Sequence, residues 1–226
     1  MARRKRFSAF FYGTLLHPEI LKRVIGNKGS RLKICPAVLL DHTRHKVKHA
    51  DYPGILPYSK SKFMLGHDLE VEEVEDRSVH GSLVIGLSQA DMNCLDVFEG
   101  DEYVREKVQV YSLGPIVRLA DYEAPKRRIP GPTVEEKPDL TPSTPEPLPP
   151  NPSETLKPAI ECETYIWASD PKELTEEPWS FRDFIQLNAW KWIPGESEGA
   201  NDRQDYLEVD RRREMGGNIV RGPPQE

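Results

Sequence analysis

Among the acids of this chain, Glu99 has the most unusual setting. It stands in "LDVFEGDEYVRE" (residues 95–106), at the end of a helix-like run and directly before Gly100. The carbonyl end of a helix carries partial negative charge, which disfavours a carboxylate there as an anion. Shelter from water by Phe98 and Tyr103 would raise its pKa further toward neutrality. A carboxyl in that condition both takes and gives a proton near pH 7. The plainer reading makes Glu99 an ordinary last-turn residue relieved by solvent, and the neighbouring residues taken alone favour it.

A second unusual stretch is "FFYGTLL" (residues 10–16). Its aromatic run reads as a buried strand, yet it halts at Gly13-Thr14 and passes at once into the helix-like "HPEILKRVIG". A Gly-Thr pair between a strand and a helix calls for an explanation outside local propensity.

Other constellations are emptier. His42, His45 and His49 form an HxxHxxxH cluster, but in an extended run His45 and His49 share a face and His42 points the other way. Only Asp41 and Asp51 stand near enough to complete a site, so no metal is expected. Cys35, Cys94 and Cys162 are far apart, odd in number and without metal spacing, which fits a reduced, cytoplasmic compartment. There is no GxSxG, GxGxxG or Walker loop, and no nucleotide cofactor is expected. The formal net charge of -6 argues against nucleic acid, which needs a basic face opposite its phosphates. The basic "RRKR" before "FSAFFYGTLL" mimics a signal peptide, but the apolar run is short and lacks a small-residue cleavage site, so it reads as the first strand. No apolar run reaches the ~20 residues of a membrane span.

The elements that must position these residues follow from pattern. Strand-like runs are "FSAFFY", "CPAVLLDH", "SVHGSLVIGL", "VREKVQVYSL" and "ECETYIWA". In the fourth, Val104, Val108 and Val110 alternate with Arg105, Lys107 and Gln109, Glu106 interrupting the apolar face. Pro18 suits the first helical position, Ile20, Leu21, Val24 and Ile25 share a face, and Gly26 suits the end. Ser88 with Asp91 suits an N-cap, Leu87 with Met92 a hydrophobic staple, and Gly100 a stop. Ser180 and Asp183 repeat the cap before a face of Phe181, Phe184, Ile185 and Trp192. Strands and helices in no strict alternation read as α+β.

Residues 124–158 hold more than half of the chain's 21 prolines, in runs such as "TPSTPEPLPPNP". Such a segment cannot sustain a backbone ladder and reads as a disordered or extended insertion. A proline-rich run also suits the aromatic groove of a protein partner. The strand after it needs a partner from before it, so the insertion interrupts one domain. The expected organisation is a domain of residues 7–122 and 160–193, an insertion at 123–159, and a charged helical extension at 194–226. That extension carries "DRQDYLEVDRRREM", with Tyr206, Leu207 and Met215 as possible anchors. Docking on the body and reaching for a partner are both open to it.

Taken in order, "FFYGTL", "DYPGILP", "GSLVIGLS", "LDVFEGDEYVRE" and "TYIWA" resemble the gamma-glutamylcyclotransferase-like family, in its avirulence-induced-gene-like branch. The resemblance covers roughly residues 7–111 and 160–170. It implies a small mixed β-barrel with flanking helices, whose mouth holds a gamma-glutamyl group. Tyr12, Gly13, Thr14 and Leu15 would cradle the amino acid end of the ligand through backbone groups. Gly13 would let that backbone come close, and amides unpaired between strand and helix can meet a carboxylate. Glu99 matches the family's catalytic acid/base, Tyr103 a tyrosine of the same motif, and Arg105 the arginine after it.

The implied reaction cyclises the gamma-glutamyl group of a small molecule to 5-oxoproline and releases an amine. It needs no metal or nucleotide. The insertion and the charged extension depart from the short family members and leave the leaving amine open. The rival reading is a binding or scaffold protein that keeps the barrel without turnover, since a fold does not guarantee its chemistry.

Overall fold

A computed structural model of the chain describes residues 5–64, 73–122, 147–189, 192 and 207–218. Its strands are β1 (Phe7–Phe11), β2 (Lys33–Leu40), β3 (His42–Lys46), β4 (Pro53–Pro57), β5 (Ser78–Leu87), β6 (Tyr103–Ser112), β7 (Val117–Arg118) and β8 (Ile160–Trp167). The helices are α1 (Pro18–Ile25), α2 (Tyr58–Met64), α3 (Gln89–Glu99), α4 (Pro152–Thr155), α5 (Phe181–Leu187) and α6 (Leu207–Glu214).

Five strands pair in the order β5-β1-β8-β6-β2, and a further β2–β5 ladder closes the ring into a mixed barrel. β1 runs parallel to β8, and the other barrel pairings are antiparallel. Because side chains alternate along a strand, each barrel strand can feed two cores. Phe10, Cys35, Leu39, Leu83, Val110 and Ile166 belong to one cluster, to which all five barrel strands contribute and no helix does: the barrel interior. Ala9, Phe11, Ile34 and Val84 face the other way and pack with α1 and α3 through Ile20, Leu21, Val24 and Leu95. The insertion thus interrupts one body, because β8 pairs with β1 and β6 from before it.

The helix ends form as their residues require. Pro18 starts α1, Gly26 ends it at φ 67°, and the ring of His17 accepts from the Glu19 amide as N-cap. Burial holds that imidazole neutral, with its pKa down to about 4. At α3, Ser88 Oγ accepts from Asp91 N–H at 3.2 Å and Asp91 Oδ2 accepts from Ser88 N–H at 2.7 Å, a complete capping box. Leu87 and Met92 are both fully buried, as a staple demands. Ser180 caps α5, which stops at Leu187, with Phe184, Ile185 and Trp192 buried.

Two expectations are corrected, and three strands are added. The hairpin of β3 and β4, and the short β7 on β2, were not read as strands from the sequence. His49 is not in an extended run: the strand ends at Lys46, and His49 turns at φ 58°. The apolar face expected along β6 holds only in its second half, since Val104 is 45% exposed while Val110 is buried. β6 pairs with β8 over Tyr103–Val110 but with β2 only over Val110–Ser112, so its first half has no partner on the β2 side.

Of the residues expected to form the insertion, 123–146 lie outside the described residues. Those from 147 on touch the body: Leu148 N–H donates to Glu75 Oε2 at 3.1 Å, and Pro152 is buried. No helix among the described residues is long and apolar enough to cross a membrane.

Candidate active site

The last residue of β1, the turn after it and the end of α3 meet at a cavity of about 20 Å³. Tyr12, Gly13, Thr14, Leu15, Glu99 and Tyr103 all line it, together with Phe98, Tyr52, Pro53, Tyr165 and Arg212. The structure therefore brings onto one wall the two stretches that stood apart in the sequence. Arg105 is not on that wall. It faces Asp96 at 3.4 Å and Glu163 at 3.2 Å.

The loop between β1 and α1 is a single 3-10 turn, Thr14–Leu16, in which Leu16 N–H donates to Gly13 O at 3.0 Å. The first amides of such a turn have no acceptor within it. Among the described residues the N–H groups of Gly13, Thr14 and Leu15 donate to nothing. Arg44 fixes the loop's entry, donating from Nη1 to Tyr12 O at 3.0 Å and to His80 O at 3.3 Å. Gly13 has an ordinary negative φ of -121°. Its missing side chain is explained by β4: a Cβ there would stand 2.9 Å from Pro53 Cδ.

Glu99 is partly exposed toward the cavity, and among the described residues its carboxyl has no hydrogen-bond partner. Its pKa is pushed up to about 7, first by burial and then by the like charges of Glu102 and Asp96, while the Arg212 cation opposes the rise. The four tyrosines on the wall are in a different state. Tyr12 Oη donates to Tyr165 O at 2.5 Å, Tyr52 Oη to Glu102 Oε2 at 2.7 Å, Tyr103 Oη to Pro53 O at 2.9 Å, and Tyr165 Oη to Asp96 Oδ1 at 2.8 Å. Burial drives Tyr12, Tyr103 and Tyr165 to higher pKa, with the negative Glu99 adding to it. They are neutral, and each hydroxyl proton is engaged. Among these lining groups, Glu99 is the one whose pKa lies near neutrality.

The histidine cluster does not assemble. His42 Nδ1 meets Leu40 O at 2.8 Å, while His45 bonds Thr43 Oγ1 and Thr175 O. Among the described residues no three His, Cys, Asp or Glu side chains stand where they would hold a metal ion.

Sequence reasoning missed Tyr52, Pro53 and Tyr165, although they sit in the quoted "DYPGILP" and "TYIWA". It also missed Arg212. That residue comes from α6, which docks on the body: Arg23 pairs with Asp210 at 2.7 Å, and Val209 and Arg212 are buried. The tail's anchors are thus Val209 and Arg212, with Met215 only partly buried. Tyr206 and the side chain of Leu207 lie outside the described residues.

The fold is a closed mixed barrel with flanking helices, and at one end a strand-to-helix turn with unused amides shares a cavity with a carboxyl of raised pKa. A family model described as gamma-glutamyl cyclotransferase, AIG2-like, matches residues 9–139, and the chain belongs to that family. The Arabidopsis thaliana protein AIG2 C is 29% identical over 82% of this chain and 76% of its own length. The AIG2-like protein D of the same plant is 29% identical over 46% of this chain and 55% of its own length. A crystal structure of a yeast gamma-glutamyl cyclotransferase specific to glutathione aligns at 13% identity and TM-score 0.46, covering 94% of this chain and 88% of the yeast chain. A solution structure of an Arabidopsis thaliana protein aligns at 20% identity and TM-score 0.45, over 81% of this chain and 75% of that one.

Proposed function

We propose that the chain is a gamma-glutamylcyclotransferase-type enzyme, with Glu99 as general acid/base and the 12–15 loop as the seat of the glutamyl head. The observation that carries this reading is Glu99 itself, a carboxyl pushed up to about 7 on the wall that also bears three unused loop amides. Glu99 takes a proton from the alpha-ammonium of the gamma-glutamyl group. The freed amine attacks the side-chain carbonyl carbon, Glu99 returns its proton to the leaving nitrogen as the amide C–N bond breaks, and the second proton lost by the attacking nitrogen leaves with the released amine as its ammonium. The products are 5-oxoproline and a free amine. Folding the glutamyl chain back on itself makes the attack intramolecular, which supplies much of the rate. Loop amides stabilise the oxygen anion formed on the way.

The test is release of 5-oxoproline across a panel of gamma-glutamyl amines, amino acids and dipeptides, including gamma-glutamyl-lysine. No turnover of any member, with binding retained, would replace this reading by a ligand-binding protein of the same fold.

A further inference from the structure

We propose that Arg105, although off the cavity wall, is a positioning residue for the site: it clamps Asp96, and Asp96 in turn holds Tyr165 and the last turn of α3, where Glu99 stands. Resting on Glu99 as the proposed acid/base, this assignment adds a residue that does not itself line the cavity.

The clamp is built from three elements. Arg105 on β6 lies directly opposite Tyr165 on β8. Glu163, two residues before Tyr165, shares its face of the strand. Asp96 reaches that face from α3: its Oδ1 accepts from Tyr165 Oη at 2.8 Å and faces Arg105 Nε at 3.4 Å. Arg105 Nη1 faces Glu163 Oε2 at 3.2 Å, and both atoms are shut off from solvent. One guanidinium thus joins an acid of the helix to an acid of the sheet. An isolated pair on the surface holds little. This one is half-buried, shared between two carboxylates and continued by a tyrosine.

What the clamp holds is the site. Tyr165 and Glu99 line the same cavity. Asp96 precedes Glu99 by three residues, a spacing that makes two side chains neighbours on a helix. Around Glu99 stand Asp96 on its own helix, Glu102 in the turn after it and Arg212 on α6, with Tyr12 after β1, Tyr103 on β6 and Tyr165 on β8. Arg105 meets Asp96 directly. A cation there fixes the Asp96 carboxylate against the sheet and balances part of its charge, so less of that charge is felt at Glu99. Without Arg105, Asp96 keeps its charge and loses its anchor. Arg105 therefore tempers the proton affinity of Glu99 at second hand, through Asp96.

The experiment follows the Glu99 carboxyl carbon by NMR across pH on the full chain, its resonance identified as the one absent from E99Q. D96N keeps an acceptor for Tyr165 but no charge, and should lower the titration midpoint by about half a pH unit or more. R105M alone should raise the midpoint by about as much. Added to D96N it should change nothing further, because the residue it acts through has lost its charge. An R105M shift of equal size in both backgrounds, or none in either, would overturn the proposal. Should R105M fail to fold, R105K decides. An ammonium cannot span both carboxylates as the guanidinium fork does, so the midpoint should rise part of the way, and only where Asp96 is intact. No rise there would equally overturn the clamp. The titration needs no turnover. A chain that releases no 5-oxoproline yet shows this coupling would lose the enzyme reading and keep the clamp, whereas turnover without the coupling would keep Glu99 and discard Arg105.

Discussion

Arg212 donates to the carbonyl of Phe98 at 3.1 Å, across 114 positions of sequence, at the helix end that Glu99 closes. A cation at the carbonyl end of a helix is favourable, and an anion there is not. The tail thereby sets the charge environment of the acid on which the proposed chemistry turns.

Replacing Glu99 by Gln should abolish turnover and spare binding. The two side chains are nearly isosteric, but the amide cannot shuttle a proton, a loss of about 10²–10⁴-fold in rate. 5-Oxoproline affinity by calorimetry should change far less. Turnover at the wild-type rate would remove Glu99 from the mechanism.

The same variant has a stability signature. A carboxyl raised to about 7 in the fold holds its proton after the unfolded chain has lost it. The native state is therefore progressively disfavoured between the ordinary carboxyl range and about 7. Glu99→Gln should match the wild type in thermal melts near the acid end of that window. Above it, the variant should gain about 1–2 kcal/mol, allowing for solvent at the cavity mouth. A gain that does not vary with pH would contradict the raised pKa.

Initial rates should rise with pH through about 7, as Glu99 ionises to act as base. Arg212→Met should move that limb to higher pH, since the guanidinium opposes the elevation that burial, Glu102 and Asp96 produce. The tyrosines facing Glu99, namely Tyr12, Tyr103 and Tyr165, stay neutral throughout and should contribute no step. A limb that stays in place in the folded variant would show that Arg212 does not act on Glu99.

At Gly13, an added Cβ would press on Pro53 Cδ at 2.9 Å. Gly13→Ala should cost about 1–3 kcal/mol of stability by displacing the loop from β4, and Gly13→Val should abolish 5-oxoproline binding. Unchanged affinity in a folded Gly13→Val protein would take the loop out of the site.

Replacing residues 123–146 by a short Gly/Ser linker should leave the melting transition nearly where it was, because loop-closure cost changes slowly with length. The substitution should stop before Leu148 and Pro152, which touch the body. Insoluble or molten product would show that the replaced stretch is needed for folding.

Much of this architecture is legible in the residues because it is written locally. Pro18, Gly26, Ser88 and Gly100 announce their helix ends, and "SVHGSLVIGL" coincides with β5, since cap and pleat chemistry act over a few neighbours. What escaped is what depends on distant chain. The exposed start of β6 reflects where β2 stops pairing, which no alternation within β6 can reveal. Gly13 looks like a residue kept small for a ligand, and only the position of Pro53 explains it otherwise. Arg212 sits in a run of three arginines that reads as a solvated face, although it is the buried one of the three.

The place of β8 in the ring has a consequence for how the molecule comes into being. The last barrel strand to be synthesised lies between β1 and β6, both made earlier. Until residues 160–167 emerge from the ribosome, the nascent chain holds two open strand edges with a gap between them. Open edges template pairing with other chains, and contacts so remote in sequence form slowly. A chain truncated before Ile160 should therefore aggregate rather than fold as a smaller domain, and the length of chain between β6 and β8 sets how long each newborn molecule stays exposed.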